Sequence, residues 1–96
     1  MAVAYEMRFK GTLDQYDQVL DLMGFEKGGE GAPGGLFHWA ERTEHGVRIV
    51  DVWESDEHFE KFGAEKLGPI TAQVGITDPP EVTRHEVHNY LSAGPA

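Results

Sequence analysis

Polar and apolar positions alternate from Val3 to Phe9, with Val3, Tyr5, Met7 and Phe9 on one side and Ala4, Glu6 and Arg8 on the other. A period of two is that of a strand with one covered face. Gly11 interrupts it, and Thr12-Leu13-Asp14-Gln15 then has the form of a capping box, with Thr12 as N-cap and Gln15 reaching back. Leu13, Tyr16, Val19, Leu20 and Met23 follow at helical spacing, Asp14, Asp17 and Asp21 take the wet side, and Gly24 is placed to end the helix. Phe25 to Gly35 is rich in glycine and contains Pro33, so it reads as a loop.

Two further strands are expected, from Gly35 to Arg42 and from Val47 to Glu54, joined at Thr43-Glu44-His45-Gly46 as a hairpin. Ser55 caps a second helix with Asp56 and Glu57 in its first turn, where the helix dipole favours acids. Phe59, Phe62, Leu67, Ile70 and Val74 supply its apolar stripe, and Gly68-Pro69 should kink or restart it. Asp78-Pro79-Pro80 is a stop, Glu81 to Leu91 reads as a last strand, and Ser92 to Ala96 as a frayed tail. The order strand, helix, hairpin, helix, strand defines an α+β, ferredoxin-like β-α-β-β-α-β chain with one four-stranded antiparallel sheet and two helices on one face. The other face is left bare, and a second copy packed sheet against sheet is its simplest cover.

At 96 residues the chain suits one domain, 1–96, with a thin core. It has no cysteine, which excludes disulfides, thiolate metal sites and cysteine nucleophiles. The net charge of −9, with the basic residues scattered singly, argues against nucleic acid and anionic membrane surfaces as partners. The start, Met1 to Glu6, lacks the basic and apolar regions of a signal peptide, and a cytoplasmic protein is the expectation.

The segment Val50-Asp51-Val52-Trp53-Glu54-Ser55-Asp56-Glu57-His58-Phe59-Glu60-Lys61-Phe62 resembles the strand-to-helix segment of the dimeric α/β-barrel superfamily, which includes antibiotic-biosynthesis monooxygenase-like proteins, muconolactone isomerase-like enzymes and stress-responsive barrel proteins. With Val87-His88-Asn89 near its end, the chain is most similar to small uncharacterised bacterial members of that group. The resemblance implies a homodimer whose two sheets enclose a cavity; it fixes no activity, because the superfamily hosts oxygenases, isomerases and proteins without known chemistry. The haem-degrading branch is matched least, since its characteristic Asn has no counterpart in Val3 to Phe9.

Hairpin register gives the sharpest chemical inference. A two- or four-residue loop pairs positions whose numbers sum to 89 or 91, and either register puts His38, Asp51 and Trp53 on one face with Leu36, Ala40 and Ile49. Phe37, Trp39, Val50 and Val52 fall on the opposite face, which suits packing against helices. His38 and Asp51 are then expected to point into the barrel cavity, Asp51 orienting His38 as a general base, with Trp53, Leu36 and Ile49 packing a ligand. Tyr90, with His88 and Asn89, is a candidate for the rim of the cavity or the dimer seam. The competing reading is a buried polar pair that fixes register or dimer geometry, and a three-residue bulged loop would separate the pair.

His85-Glu86-Val87-His88 is not a metalloprotease motif, since its histidines are three apart on an expected strand. Gly29-Glu30-Gly31-Ala32-Pro33-Gly34 matches G-x-G-x-x-G as a string but lacks the strand before and the helix after, and Glu30 would repel a phosphate; a loop able to cover one mouth of the cavity is the better reading. No flavin, nicotinamide or metal motif is visible, so no cofactor and no metal are expected. Two functions remain open: a small apolar- or aromatic-molecule-binding dimer acting as a cofactor-independent monooxygenase, isomerase or cyclase, and a non-catalytic stress-related or structural dimer.

Overall fold

The computed structural model describes residues 2–95. Strand β1 (Val3–Phe9) leads into α1 (Leu13–Met23), followed by the hairpin β2 (Gly35–Thr43) and β3 (Gly46–Trp53). A second helical unit comprises α2 (Asp56–Phe62), a π-helical turn (Gly63–Leu67) and α3 (Gly68–Gln73), and β4 (Glu81–Glu86) closes the sheet. All pairings are antiparallel and the strand order is β2-β3-β1-β4, so the α+β, β-α-β-β-α-β reading is correct.

The local signals act as their chemistry requires. Thr12 Oγ1 accepts the Gln15 N–H at 3.1 Å and Gln15 Oε1 accepts the Thr12 N–H at 3.0 Å, completing the capping box. The Gln15 amide also donates to the Val74 carbonyl at 3.1 Å, tying the start of α1 to the end of α3. Gly24 closes α1 at φ 80°, a conformation that only glycine adopts without strain. The restart expected at Gly68-Pro69 takes the form of the π turn. Proline cannot donate to the helical ladder, so the turn before it widens and the Gly68 N–H reaches back five residues to the Gly63 carbonyl.

Between Thr43 and Gly46 the hairpin has a two-residue loop, and His38 pairs directly with Asp51. The ladder is irregular between Gly35 and Phe37, which places Leu36 in a bulge. Gly46 lies so close to the Phe9 carbonyl that a Cβ there would overlap it.

Which face the helices cover is opposite to the expectation. Val3, Tyr5, Met7 and Phe9 of β1 and Val47, Ile49, Asp51 and Trp53 of β3 point the same way and are all buried. One cluster is Met7, Phe9, Val47, Ile49 and Ile76, covered by Tyr16, Phe59, Leu67 and Val74; the other is Val3, Tyr5 and Trp53, covered by Ala32, Phe59 and Phe62. The best-buried of these side chains, Met7 and Val3, each contribute about 1.5–3 kcal/mol. Phe37 and Trp39 instead stand 50% and 39% exposed on the bare face. The strand β1, paired with β3 residue by residue, decides the matter: its apolar side is unambiguous, and in-register pairing puts Ile49, Asp51 and Trp53 on that side. His38 and Asp51 therefore face the helices of their own chain, not a cavity between two sheets.

The last strand is also shorter than expected. Glu86 pairs with Val3, the first residue of β1, and Val87 adds one bond to the Ala2 carbonyl at 3.4 Å; no further pairing of this segment follows among the described residues. The segment expected to extend β4 to Leu91 is irregular, and the tail from Ser92 runs to Ala96, which lies outside the described residues. Two residues before that end of β4, on the sheet's helical face, Arg84 grips Asp56 through two bonds of 2.9 and 3.0 Å, Tyr5 donates to the same carboxylate, and the Tyr5 ring stacks on Phe59 with centroids 3.7 Å apart. This arrangement fastens the start of α2 to β1 and β4. No helix among the described residues is long and apolar enough to cross a membrane.

Candidate functional site

The edge strand β2 extends beyond the cover that α2 and α3 provide. Between it, α1 and the glycine-rich loop lies an open cleft of about 960 Å³. Met7, Ile49 and Trp53 form its floor, and Leu20, Met23 and Phe25 line it from the α1 side. Predominantly apolar walls with few polar groups are the usual make-up of a small-molecule site.

Three of the polar side chains in this cleft form a hydrogen-bonded chain. His38 Nδ1 bonds Asp51 Oδ1, and His38 Nε2 meets the Tyr16 hydroxyl at 2.5 Å, with the Tyr16 and His38 rings within 6° of parallel. The side chain of Asp51 is 6% exposed and that of His38 41%, so the pair runs from the core to the cleft. Burial, then the nearby carboxylates of Asp51 and Asp17, push the Tyr16 hydroxyl up to about 12, so it stays protonated at neutral pH. Asp51 as a carboxylate can only accept, so His38 Nδ1 carries a hydrogen and donates to it, which leaves Nε2 facing the Tyr16 hydroxyl. The arrangement links the buried carboxylate to the cleft through the imidazole and one exchangeable hydroxyl.

Trp53 is 3% exposed, packed tilted on Phe62 at 5.2 Å and edge-on to Phe59 at 6.0 Å, and its Nε1–H has no hydrogen-bond partner. A buried donor left unpaired costs about 1–3 kcal/mol.

Of the residues singled out in the sequence, the structure brings His38, Asp51, Trp53, Leu36 and Ile49 to this cleft. Tyr90 does not reach it: it lies beyond β4, 40% exposed, and is absent from the cleft lining. Sequence reasoning missed Tyr16, which was grouped with the apolar stripe of α1. The signal was present, because Tyr16 is the one member of that stripe with a polar tip, and a buried phenol seeks a partner. The glycine-rich loop borders the cleft from Glu26 to Ala32. His85 faces Glu6 at 3.7 Å on the bare side of the sheet, and no three metal-ligating side chains are grouped among the described residues.

The bare face carries Phe37, Trp39, Val50, Val52 and Ala4 on one part and an ionic network on another. Arg48 bonds Glu6 at 2.8 Å and Glu41 at 3.0 Å and lies 5.0 Å from the Trp39 ring centre. The hydrogen bond from Arg48 is the main reason the Glu6 carboxyl titrates below its ordinary range.

A four-stranded sheet with helices on one face and a ligand-sized cleft beneath them describes a ferredoxin-like α+β protein of the kind that the sequence resembles. Solved structures agree. A provisionally assigned antibiotic biosynthesis monooxygenase from Chloroflexus aurantiacus J-10-fl superposes with a TM-score of 0.67 at 15% identity, over 98% of this chain and 100% of that one. The monooxygenase ActVA-Orf6 of Streptomyces coelicolor, solved with nanaomycin D, gives 0.55 at 19% identity over 97% and 91%. SnoaB, a cofactor-independent oxygenase from Streptomyces nogalater, gives 0.57 at 14% identity over 96% of each chain. The chain has the ferredoxin-like fold of these antibiotic biosynthesis monooxygenase-like proteins. No protein-family model matches the sequence, and no curated protein matches it.

Proposed function

We propose that this chain is a homodimeric, cofactor-independent enzyme that removes a proton from a small planar molecule held in the cleft. The observation that carries the proposal is the Tyr16–His38–Asp51 chain, set among the apolar side chains of the cleft's interior. His38 serves as general base, Tyr16 relays the proton to Nε2, and Asp51 holds the tautomer and balances the imidazolium that forms. The carbanion left on an aromatic or polyketide-like substrate then has two fates. Without dioxygen, reprotonation elsewhere gives isomerisation, and attack on a carbonyl carbon of the same molecule, with the proton returned to its oxygen, gives cyclisation. Attack on dioxygen inserts one oxygen atom at the deprotonated carbon, and the second leaves as water when a methylene becomes a carbonyl. The oxygenase names of the fold neighbours support the second fate.

The test is turnover of a panel of anthrone- and hydroquinone-type compounds, followed by quinone absorbance and oxygen uptake. Losing a general base costs about 10²–10⁴-fold in rate, so His38→Ala should abolish turnover while retaining the wild-type circular dichroism; unchanged turnover refutes the assignment. If no compound reacts while His38→Ala and Asp51→Asn both destabilise the fold, the pair is architectural and the non-catalytic reading stands.

The homodimer rests on the bare face, whose exposed Phe37 and Trp39 adjoin Val50 and Val52. A second copy packed sheet to sheet buries them. Native mass spectrometry should give a dimer for the wild type and a monomer for Trp39→Glu; a wild-type monomer at micromolar concentration removes the dimer from the proposal.

A further inference from the structure

The charges around the cleft are unevenly distributed. Asp17 on α1, Glu26 and Glu30 on the loop and Asp51 at the floor all line it, whereas Lys27 is the one lysine and no arginine is present among the lining residues. Lys27 is already committed to Asp17, at 3.6 Å. Beyond this ion pair an entering ligand meets carboxylates at the mouth and apolar side chains within. The floor presents the Trp53 ring, whose Nε1–H is buried and without a partner, and no lysine or arginine.

From this we infer that the cleft excludes organic anions and admits molecules without negative charge, with Glu26 and Glu30 as specificity-determining residues. The inference rests on the small-molecule reading above and narrows its substrate class to neutral aromatic compounds. A carboxylate, sulfonate or phosphate entering the cleft gives up its hydration for apolar contacts and finds no lysine or arginine beyond Lys27, which already faces Asp17; that is the costly way to bury an ion. Low-dielectric walls also concentrate the field of the rim, so the mouth repels an anion before it arrives. The overall charge of −9 acts in the same direction at longer range. A neutral phenol or ketone meets neither penalty, and its acidic proton is the one the Tyr16–His38–Asp51 chain can accept.

Two fluorogenic probes separate the charge from the ring system: N-phenyl-1-naphthylamine, which is neutral, and 8-anilinonaphthalene-1-sulfonate, which has the same rings and a negative charge. Their binding is measured by fluorescence, and the site is identified by the indole N–H resonances, with Trp39→Phe used once to assign the two tryptophans. The neutral probe should shift the Trp53 resonance and bind with an affinity that varies little with salt. The sulfonate should bind more weakly and tighten as salt screens the rim.

In Glu26→Gln/Glu30→Gln the sulfonate should gain about twofold for each charge removed at ~10 Å in water, or about fourfold in all, while the neutral probe moves by less than twofold. Equal responses of the two probes to salt and to the double substitution overturn the anion filter but leave the cleft as a binding site. Failure of both probes to shift Trp53 overturns the small-molecule reading itself, and the filter with it.

Discussion

Phe59 is the residue through which the fold is most efficiently tested. It is half-buried, packs against both apolar clusters, stacks under Tyr5 and meets Trp53 edge-on, so it joins the two halves of the core beneath α2. Truncating a fully buried phenylalanine to alanine costs about 3–5 kcal/mol. Partial exposure lowers that figure, while the aromatic pairs restore about 0.5–1.5 kcal/mol beyond area. We therefore expect Phe59→Ala to destabilise by about 3 kcal/mol. With a urea slope of about 1.5 kcal/mol/M for a chain of this size, the midpoint falls by ~2 M. Phe59→Leu keeps most of the apolar volume but loses the stacking, and about 1 kcal/mol is expected. Urea titrations of the three proteins, followed by far-ultraviolet circular dichroism and by tryptophan fluorescence, measure all of this. A loss below 1 kcal/mol for Phe59→Ala, or equal losses for the two variants, would refute the argument that one ring couples the clusters.

Three further outcomes follow from the same geometry. The hydrogen bonds from Arg84, then that from Tyr5, hold the Asp56 carboxyl at about 2 instead of 3.8, so its contribution to stability is present above about pH 4 and is lost as pH falls through about 2; Asp56→Asn should flatten that part of an acid-unfolding curve, and an unaltered curve contradicts the clamp. Tyr16 should ionise near 12 in an ultraviolet titration, and Asp51→Asn should lower its value because one of the raising charges is gone; an ordinary tyrosine titration in the wild type refutes its placement. Gly46→Ala should destabilise by more than about 1 kcal/mol, since its Cβ meets the rigid Phe9 carbonyl rather than a movable side chain, and a neutral result in a thermal melt would show that β1 and β3 separate more easily there than their pairing suggests.

Much of this architecture was legible because several signals agreed locally. Alternation in β1, the Thr12–Gln15 capping box, Gly24 and Ser55 each specify a boundary through bonds that they make themselves, and each is in place. The β2–β3 hairpin was legible as far as a shared face: both registers considered put His38 and Asp51 on one side, and the two-residue loop of the structure makes them direct partners. The side of the sheet on which the pair lies was not, because β2 and β3 carry large apolar residues on both faces. Trp39 and Val52 compete with Trp53 and Ile49, and the choice is made by β1, a strand remote in sequence. Tyr16 was obscured for a related reason: helical periodicity ranks it by its ring, whereas its hydroxyl decides what it does. The end of β4 is set by where β1 begins, which no pattern within residues 81–91 records.

The position of β2 explains why the proposed chemistry and the proposed partner surface meet in the same few residues. As an edge strand that α2 and α3 do not cover, it is wet on both faces, and alternation then sends His38 toward the cleft while Phe37 and Trp39 point away from it. A strand held on one side only by β3 has little to fix it beyond its ladder and the Asp51–His38–Tyr16 bonds. In the proposed dimer the partner sheet would press on Phe37 and Trp39 and restrain the backbone that carries His38. Dimerisation and the geometry of the base are then coupled through a single strand. Trp39→Glu, besides giving a monomer, should therefore broaden the His38 ring resonances and weaken their coupling to Tyr16. A monomeric Trp39→Glu protein with wild-type His38 resonances would show that β3 and Tyr16 position the base unaided.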